Sequence, residues 1–412
     1  MEFHNHILGN GLQLAAECND EAHSTALGFF VDAGSRDESD EVAGVSHFLE
    51  HMMFKGTPTR SADDVNREFD EMGAHYNAFT NEENTVYYAA ALPEQQHPLV
   101  ELLSDMMRPS LREEDFDTEK KVVIEEIRMY EDQPPFCADD KARAVYFGSH
   151  PLGRSVLGTE ETIGQLAAGQ MREYFGRRYS PGNISLVAAG RIDFDALVAD
   201  VEKYCSHWEP VQSSRTIEAA VTNRRFMAIE KDIATQQYVL QLCPGPAAAD
   251  DDRYAAKLLA NILGDDSGSR LYWELVDSGL AEHATLSHHE YVGCGVMLTY
   301  MCCDPRHATD NLQKILAIYR QAEAEGITPR ELETAKCKMR SRLVLSGERP
   351  RGRLFMVGSN WIHRRQYLSV DEDIELISAV GEDQLAAVLE SYPLSENTTV
   401  TIGPPVDVPA PK

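Results

Sequence analysis

The sequence predicts an α+β protein: two homologous α/β halves, each a mainly antiparallel sheet covered by helices, joined by a linker. Three observations carry that expectation. The order of elements read from hydrophobic period and turn residues recurs after roughly 200 residues, as duplication produces. Residues 24–32 (STALGFFVD) are apolar on both faces, which suits the middle of a covered sheet. Residues 207–223 (HWEPVQSSRTIEAAVTN) lapse into a polar stretch with Pro210 and paired serines. The expected division is therefore a first domain at 1–206, a linker at 207–223 and a second domain at 224–412.

Taken in order, Gly9, Asn10 and Gly11 punctuate a first strand pair across residues 7–16, and the apolar strand 24–32 follows. A helix over residues 45–54 is closed by residues 57–60 (TPTR). Ser61 then caps the next helix, which Gly73 ends. Residues 75–90 (HYNAFTNEENTVYYAA) are rich in aromatic and β-branched side chains, so they read as strand, turn at 81–84, and strand. Helices are expected at 92–107, from Asp117 to about Asp132 before Pro134 and Pro135, at 138–147 and at 163–179. Residues 183–189 return as a strand. His150 sits in a loop, where we expect a structural role. After the linker come strands near 225–230 and 236–241 and a helix at 252–263. Helix, hairpin and helix then lead to a strand at 398–402.

The first helix, VSHFLEHMMF, divides its labour. At about 100° per residue His47, Glu50 and His51 share one arc of roughly 100°, and Phe48, Leu49, Met52 and Met53 take the other side. Histidines at i and i+4 lie about 5–6 Å apart at Cβ, so both imidazoles can converge on one Zn²⁺. Glu50 beside them is placed to take a proton from water, and His-x-x-Glu-His is the inverted zincin signature. A third ligand must come from elsewhere. On the helix reading DTEKKVVIEEIRMY from Asp117, Glu119 and Glu126 are seven apart and share a stripe. Val123, Ile124 and Ile127 form the apolar face, and Glu125 turns about 100° away. Glu126 is expected as the ligand, Glu119 as the partner that orients a ligand or the water, and Glu125 as solvated. The corresponding helix of the second half, YAAKLLANIL from Tyr254, has no histidine pair. One half is thus expected to carry the chemistry, and the other to help form a substrate chamber.

Composition sets bounds. Sixty-seven acidic against 38 basic residues give a net charge of −29, which argues against nucleic acid or anionic membrane as partner. Eight scattered cysteines without a C-x-x-C spacing read as buried free thiols in a reducing, cytoplasmic setting. The first residues carry no signal-peptide or transit-peptide pattern, and no apolar run reaches the length of a membrane span.

His47, Glu50 and His51 followed by Glu119 and Glu126 resemble the pitrilysin, or insulinase, family of zinc peptidases, which includes the mitochondrial processing peptidase. The likeness to its short-chain bacterial branch continues at residues 33–38 (AGSRDE), 47–57, 77–80 (NAFT), 129–132 (MYED), 151–153 (PLG) and 180–183 (SPGN). It is dense in the first half and thin in the second. The resemblance implies a zinc metalloendopeptidase with one Zn²⁺ per chain, acting on oligopeptides or unfolded segments as a homodimer or as a heterodimer with a related subunit. It also implies that Asn77, Ala78 and Phe79 lie on an edge strand that pairs with the substrate backbone.

One departure stands out. Relatives commonly supply an arginine and a tyrosine around a Gly-Leu-Ala, whereas here Gly279, Leu280 and Ala281 are followed by Glu282, with no arginine just before. Arg270 and Tyr272 precede the expected positions, and His283, His288 and His289 are nearby donors. Two alternatives therefore stand beside the peptidase: a subunit needing a partner that brings the Arg/Tyr pair, and a non-enzymatic assembly subunit.

Overall fold

The computed structural model describes residues 1–220 and 222–405; Val221 of the expected linker and residues 406–412 of the expected second domain lie outside the described residues. The chain forms two compact units. The first comprises Met1–Met129, Arg154–Thr216 and Leu345–Leu368. Its six-stranded sheet runs β1 (Glu2–Ile7), β2 (Gln13–Cys18), β6 (Ile184–Gly190), β3 (Thr25–Val31), β5 (Thr85–Ala91), β4 (His75–Thr80) in spatial order. Only β2 and β6 pair in parallel. Strand β3 is buried along its whole length, because successive side chains enter two different cores. Leu27, Phe29 and Val31 join Phe48 and Leu49 on one face, while Ala26 and Phe30 join Val86 and Val187 on the other.

The helix Pro350–Arg364 closes that second face with Leu354 and Val357. It lies close to the sheet at Gly358, where a Cβ would come within 2.3 Å of the Phe30 ring. Arg353 reaches the buried Glu17 of β2, its Nε donating at 2.8 Å, and the Tyr367 hydroxyl donates to the same carboxylate at 2.7 Å.

The second unit comprises Tyr130–Gly153, Ile217–Val344 and the described part of Ser369–Lys412. Its five strands are ordered β7 (Phe226–Glu230), β11 (Thr398–Gly403), β8 (Gln237–Gly245), β10 (Cys294–Cys303), β9 (His283–Tyr291). Here too one pair is parallel, β7 with β11, and the other three are antiparallel. Read as β2-β6-β3-β5-β4 against β7-β11-β8-β10-β9, the two sheets share one connectivity, and both are mainly antiparallel and helix-covered as expected. The helix Ala138–Phe147 covers one face through Ala142 and Tyr146 against Leu240, Leu242, Val400 and Ile402. Helices Arg253–Gly264 and Ala308–Glu325 cover the other.

Each sheet thus takes one covering helix from the opposite half of the sequence. For this reason the compact units are not the contiguous stretches on either side of 207–223: residues 130–153 and 345–368 change places. The polar stretch is also held firmly where it belongs to the first unit, since Arg215 donates to both carboxylate oxygens of Asp37 at 2.9 and 2.6 Å.

Local differences from expectation have local causes. The helix expected at 163–179 is two helices, Glu160–Gln165 and Ala168–Arg178, separated where Leu166 and Ala167 adopt extended ψ angles of 133° and 148°. A helix Phe194–Cys205, capped by the Asp193 side chain accepting from the Ala196 N–H, was not expected. None of the eight cysteines is in a disulfide, but only Cys205, Cys243, Cys302 and Cys303 are buried, and Cys337 is exposed. Among the described residues no helix is long and apolar enough to cross a membrane.

Candidate metal centre

The helix Val45–Met53 begins at Gly44, whose φ of +90° belongs to the left-handed region and whose Cβ, if present, would meet the Leu157 carbonyl oxygen at 2.6 Å. Its first N–H groups need acceptors. Glu38 supplies them: its carboxylate accepts from the Gly44 N–H at 2.7 Å and the Ser46 N–H at 2.8 Å. Burial pushes Glu38 up to about 7 despite those hydrogen bonds. The Ser46 and Tyr174 hydroxyls share a buried hydrogen bond of 2.6 Å that fixes the same turn. On the inner side Phe48, Leu49, Met52 and Met53 are all buried, as the helical spacing requires.

On the other side His47, His51 and Glu126 come together. Their ligand atoms lie within 4.8 Å of one another, the single such group of three or more metal-binding side chains among the described residues. Glu126 Oε2 stands 3.4 Å from His51 Nε2 and 3.7 Å from His47 Nε2. Donors about 2.0–2.1 Å from a tetrahedral zinc ion are separated by roughly 3.3 Å, so two nitrogens and one oxygen at these spacings fit that ion. Two imidazoles with a carboxylate also form a donor set that zinc accepts while keeping a fourth position open.

The helix Glu113–Asp132 supplies the carboxylates as its spacing predicts. Glu119 is buried, accepts from His51 Nδ1 at 3.0 Å and pairs with Lys55 Nζ at 2.6 Å. Glu125 is exposed and binds Arg128 instead, at 2.6 Å.

The electrostatics follow from these contacts. Burial works to lower His51, yet the hydrogen bonds and charges of Glu119 and Glu126 outweigh it and push it up to about 9. Burial, together with the positive charge of His51, holds His47 well below the usual histidine range. The hydrogen bond from His51 keeps Glu126 below the ordinary carboxylate range. Because the ligands must be deprotonated, metal binding at these groups would displace a proton from His51. Among the described residues Nδ1 of His47 is buried without a hydrogen-bond partner, and none of their carboxylates sets that ring's tautomer.

Glu50 lies beside the ligands. Burial raises its pKa more than the Thr80 hydroxyl, donating to Oε2 at 2.6 Å, lowers it. Thr80 ends β4, the edge strand of the first sheet, which also carries Asn77, Ala78 and Phe79. Ala78 is buried, and its N–H is capped by the Asn77 side chain at 2.9 Å. Phe79 turns its ring toward Phe355, 5.8 Å between centroids, on the face opposite Thr80.

Glu38, Lys55 and Thr80 were missed as contributors. Lys55 was legible as the residue four after His51; Glu38 and Thr80 act across turns and strands, where spacing alone says nothing. In the second unit His150 Nδ1 accepts the Leu152 N–H at 3.2 Å. Arg270 is engaged by Glu331 at 2.7 Å, Tyr272 lies in a π-helical turn, and Glu282 accepts from Gln236. His283, His288 and His289 all lie on β9.

Comparison with known proteins agrees with this architecture. Residues 13–160 match the family described as Insulinase (Peptidase family M16), and residues 165–339 match the peptidase M16 inactive domain. The chain is 32% identical to the uncharacterized zinc protease YmxG of Bacillus subtilis over 97% of its own length and 98% of the relative's. It is 31% identical to an uncharacterized zinc protease of Mycobacterium tuberculosis, covering 96% and 92%. A crystal structure of a protease from Helicobacter pylori shares the fold with a TM-score of 0.91 at 21% identity, covering 98% of this chain and 99% of that one. The chain belongs to the insulinase, or M16, family of peptidases.

Proposed function

We propose that the protein is a zinc metalloendopeptidase that hydrolyses oligopeptides or unfolded polypeptide segments, holding one Zn²⁺ per chain on His47, His51 and Glu126. The observation that carries this reading is the meeting of those three ligand atoms, with Glu50 close enough to feel the charges of His51 and Glu126. When bound, zinc supplies a Lewis acid for the peptide carbonyl and acidifies water toward a pKa of ~7. Glu50 accepts the proton of the attacking water and delivers it to the leaving amine, and the raised pKa that burial gives it suits both tasks. Glu119 fixes the His51 ring, and Lys55 keeps Glu119 ionised. Residues 77–79 offer a strand edge to an extended peptide. In this reading residues 1–206 carry the catalytic chemistry and 224–412 form the non-catalytic counterpart. The site of action is cytoplasmic, consistent with eight cysteines that form no disulfide.

A second reading is favoured by one observation. Glu282 stands after Gly279, Leu280 and Ala281, and Arg270 is occupied by Glu331, so the active species is a homodimer or, if the Arg/Tyr pair is essential, a heterodimer with a related subunit. A fluorogenic peptide assay on the purified chain, with zinc content and solution mass measured on the same sample, separates these. Cleavage should vanish with a chelator and fall about 10²–10⁴-fold in Glu50→Gln with zinc still bound. Undiminished cleavage by Glu50→Gln rejects Glu50 as the base. Zinc-loaded but inactive wild type points to the missing partner or to an assembly role.

A further inference from the structure

Thr80 is the last residue of β4, and its hydroxyl donates to Glu50 Oε2 at 2.6 Å. A hydroxyl has one proton to give. Its other neighbour, the Thr85 hydroxyl at 3.4 Å, gives its own proton to the Ala33 carbonyl at 2.9 Å. The direction of the pair is therefore set: Thr85 donates to backbone, and Thr80 donates to Glu50. An O–H donor at this distance from an ionised carboxylate forms one of the stronger hydrogen bonds a protein makes. Oε2 gives one of its two lone pairs to Thr80, whereas among the described residues no hydrogen bond reaches Oε1, which leaves Oε1 the more basic and more open oxygen.

We infer that Thr80 is a positioning residue that aims the Glu50 carboxylate and selects Oε1 as its proton-carrying oxygen, an inference that rests on the peptidase reading above. In that step an O–H bond of the attacking water breaks, its proton goes to Oε1, and its oxygen forms the new bond to the peptide carbon. The same proton then passes from Oε1 to the nitrogen as the C–N bond breaks. Without the Thr80 hydroxyl the carboxylate loses the contact that holds its orientation.

Thr80→Val removes the hydroxyl and keeps a β-branched side chain suited to a strand; Thr80→Ser keeps the hydroxyl. Both are compared with wild type for kcat, KM, zinc per chain and melting temperature, with Glu50→Gln run in parallel. Thr80→Val should lose roughly 10- to 100-fold in kcat with KM, zinc content and melting temperature unchanged, and Thr80→Ser should restore kcat to within about threefold. Wild-type kcat in Thr80→Val, failure of serine to rescue, or a loss of kcat that tracks zinc or stability overturns the inference. An undiminished Glu50→Gln brings down the mechanism itself. An inactive Glu50→Gln beside an unimpaired Thr80→Val brings down the Thr80 inference alone. A crystal structure of Thr80→Val with the Glu50 carboxylate in its wild-type position also overturns it, and that measurement needs no activity.

Discussion

Glu119 touches no candidate donor atom of Glu126, yet it decides what His51 can do. Its carboxylate binds His51 Nδ1 at 3.0 Å and so leaves Nε2 facing Glu126. Burial works to raise the Glu119 pKa, but His51 and Lys55 outweigh it and hold the carboxyl below its ordinary range. A neutral amide at this position keeps the shape and loses the charge. Glu119→Gln should therefore weaken zinc binding about 10–100-fold, read by competition with a chromogenic chelator, while the melting temperature of the metal-free protein changes little. An unchanged zinc affinity would show that the ring is oriented by something else. The sequence pointed to this division of labour because seven residues return to one helix face, whereas the neighbouring Glu125 does not.

At the scale of an element, the helix that presents the histidines is tied down at its start by a carboxylate buried away from water. Glu38 has an ordinary pKa of 4.5 and is raised to about 7 in the fold, burial outweighing the hydrogen bonds from Ser46 and Gly44. Between those pH values the folded protein binds a proton that the unfolded chain does not. The stability linked to this group is thus fully present below about pH 4.5 and is lost as the pH rises through 7, about 3 kcal/mol in all. Urea unfolding of wild type and Glu38→Gln from about pH 5 to 8 isolates it: the wild type should lose stability relative to the variant across that window. A difference independent of pH would mean that Glu38 ionises normally. Turn and strand signals in the sequence placed this helix after β3 correctly, and they placed β4 before its turn. They could not show that Glu38 lies under the helix N-terminus, because the two 3₁₀ turns between β3 and the helix have no strong pattern of their own.

For the whole molecule, the longest-range ion pair among the described residues of the first unit is Arg353 to Glu17, 336 residues apart in sequence, with both side chains almost wholly buried. Breaking one partner leaves a buried charge unpaired, so Arg353→Met should cost about 3–5 kcal/mol. Glu17→Gln combined with Arg353→Met should recover much of that loss, as urea unfolding of the single and double variants will read. A cost below about 1 kcal/mol would show the pair to be solvated. By itself the sequence determined the α+β class, the repeated order of strands, the helix bearing His47, Glu50 and His51, and the stripe of Glu119 and Glu126. These follow from periodicities of 2 and 3.6 residues and from turn chemistry, which act within a few residues. Only the tertiary structure decided that Ala138–Phe147 and Pro350–Arg364 cover the sheets of the opposite halves, that Thr80 holds Glu50, and that Glu126 reaches both imidazoles. Those contacts join segments tens to hundreds of residues apart, and an apolar stripe or a carboxylate states what it needs without naming which distant surface supplies it.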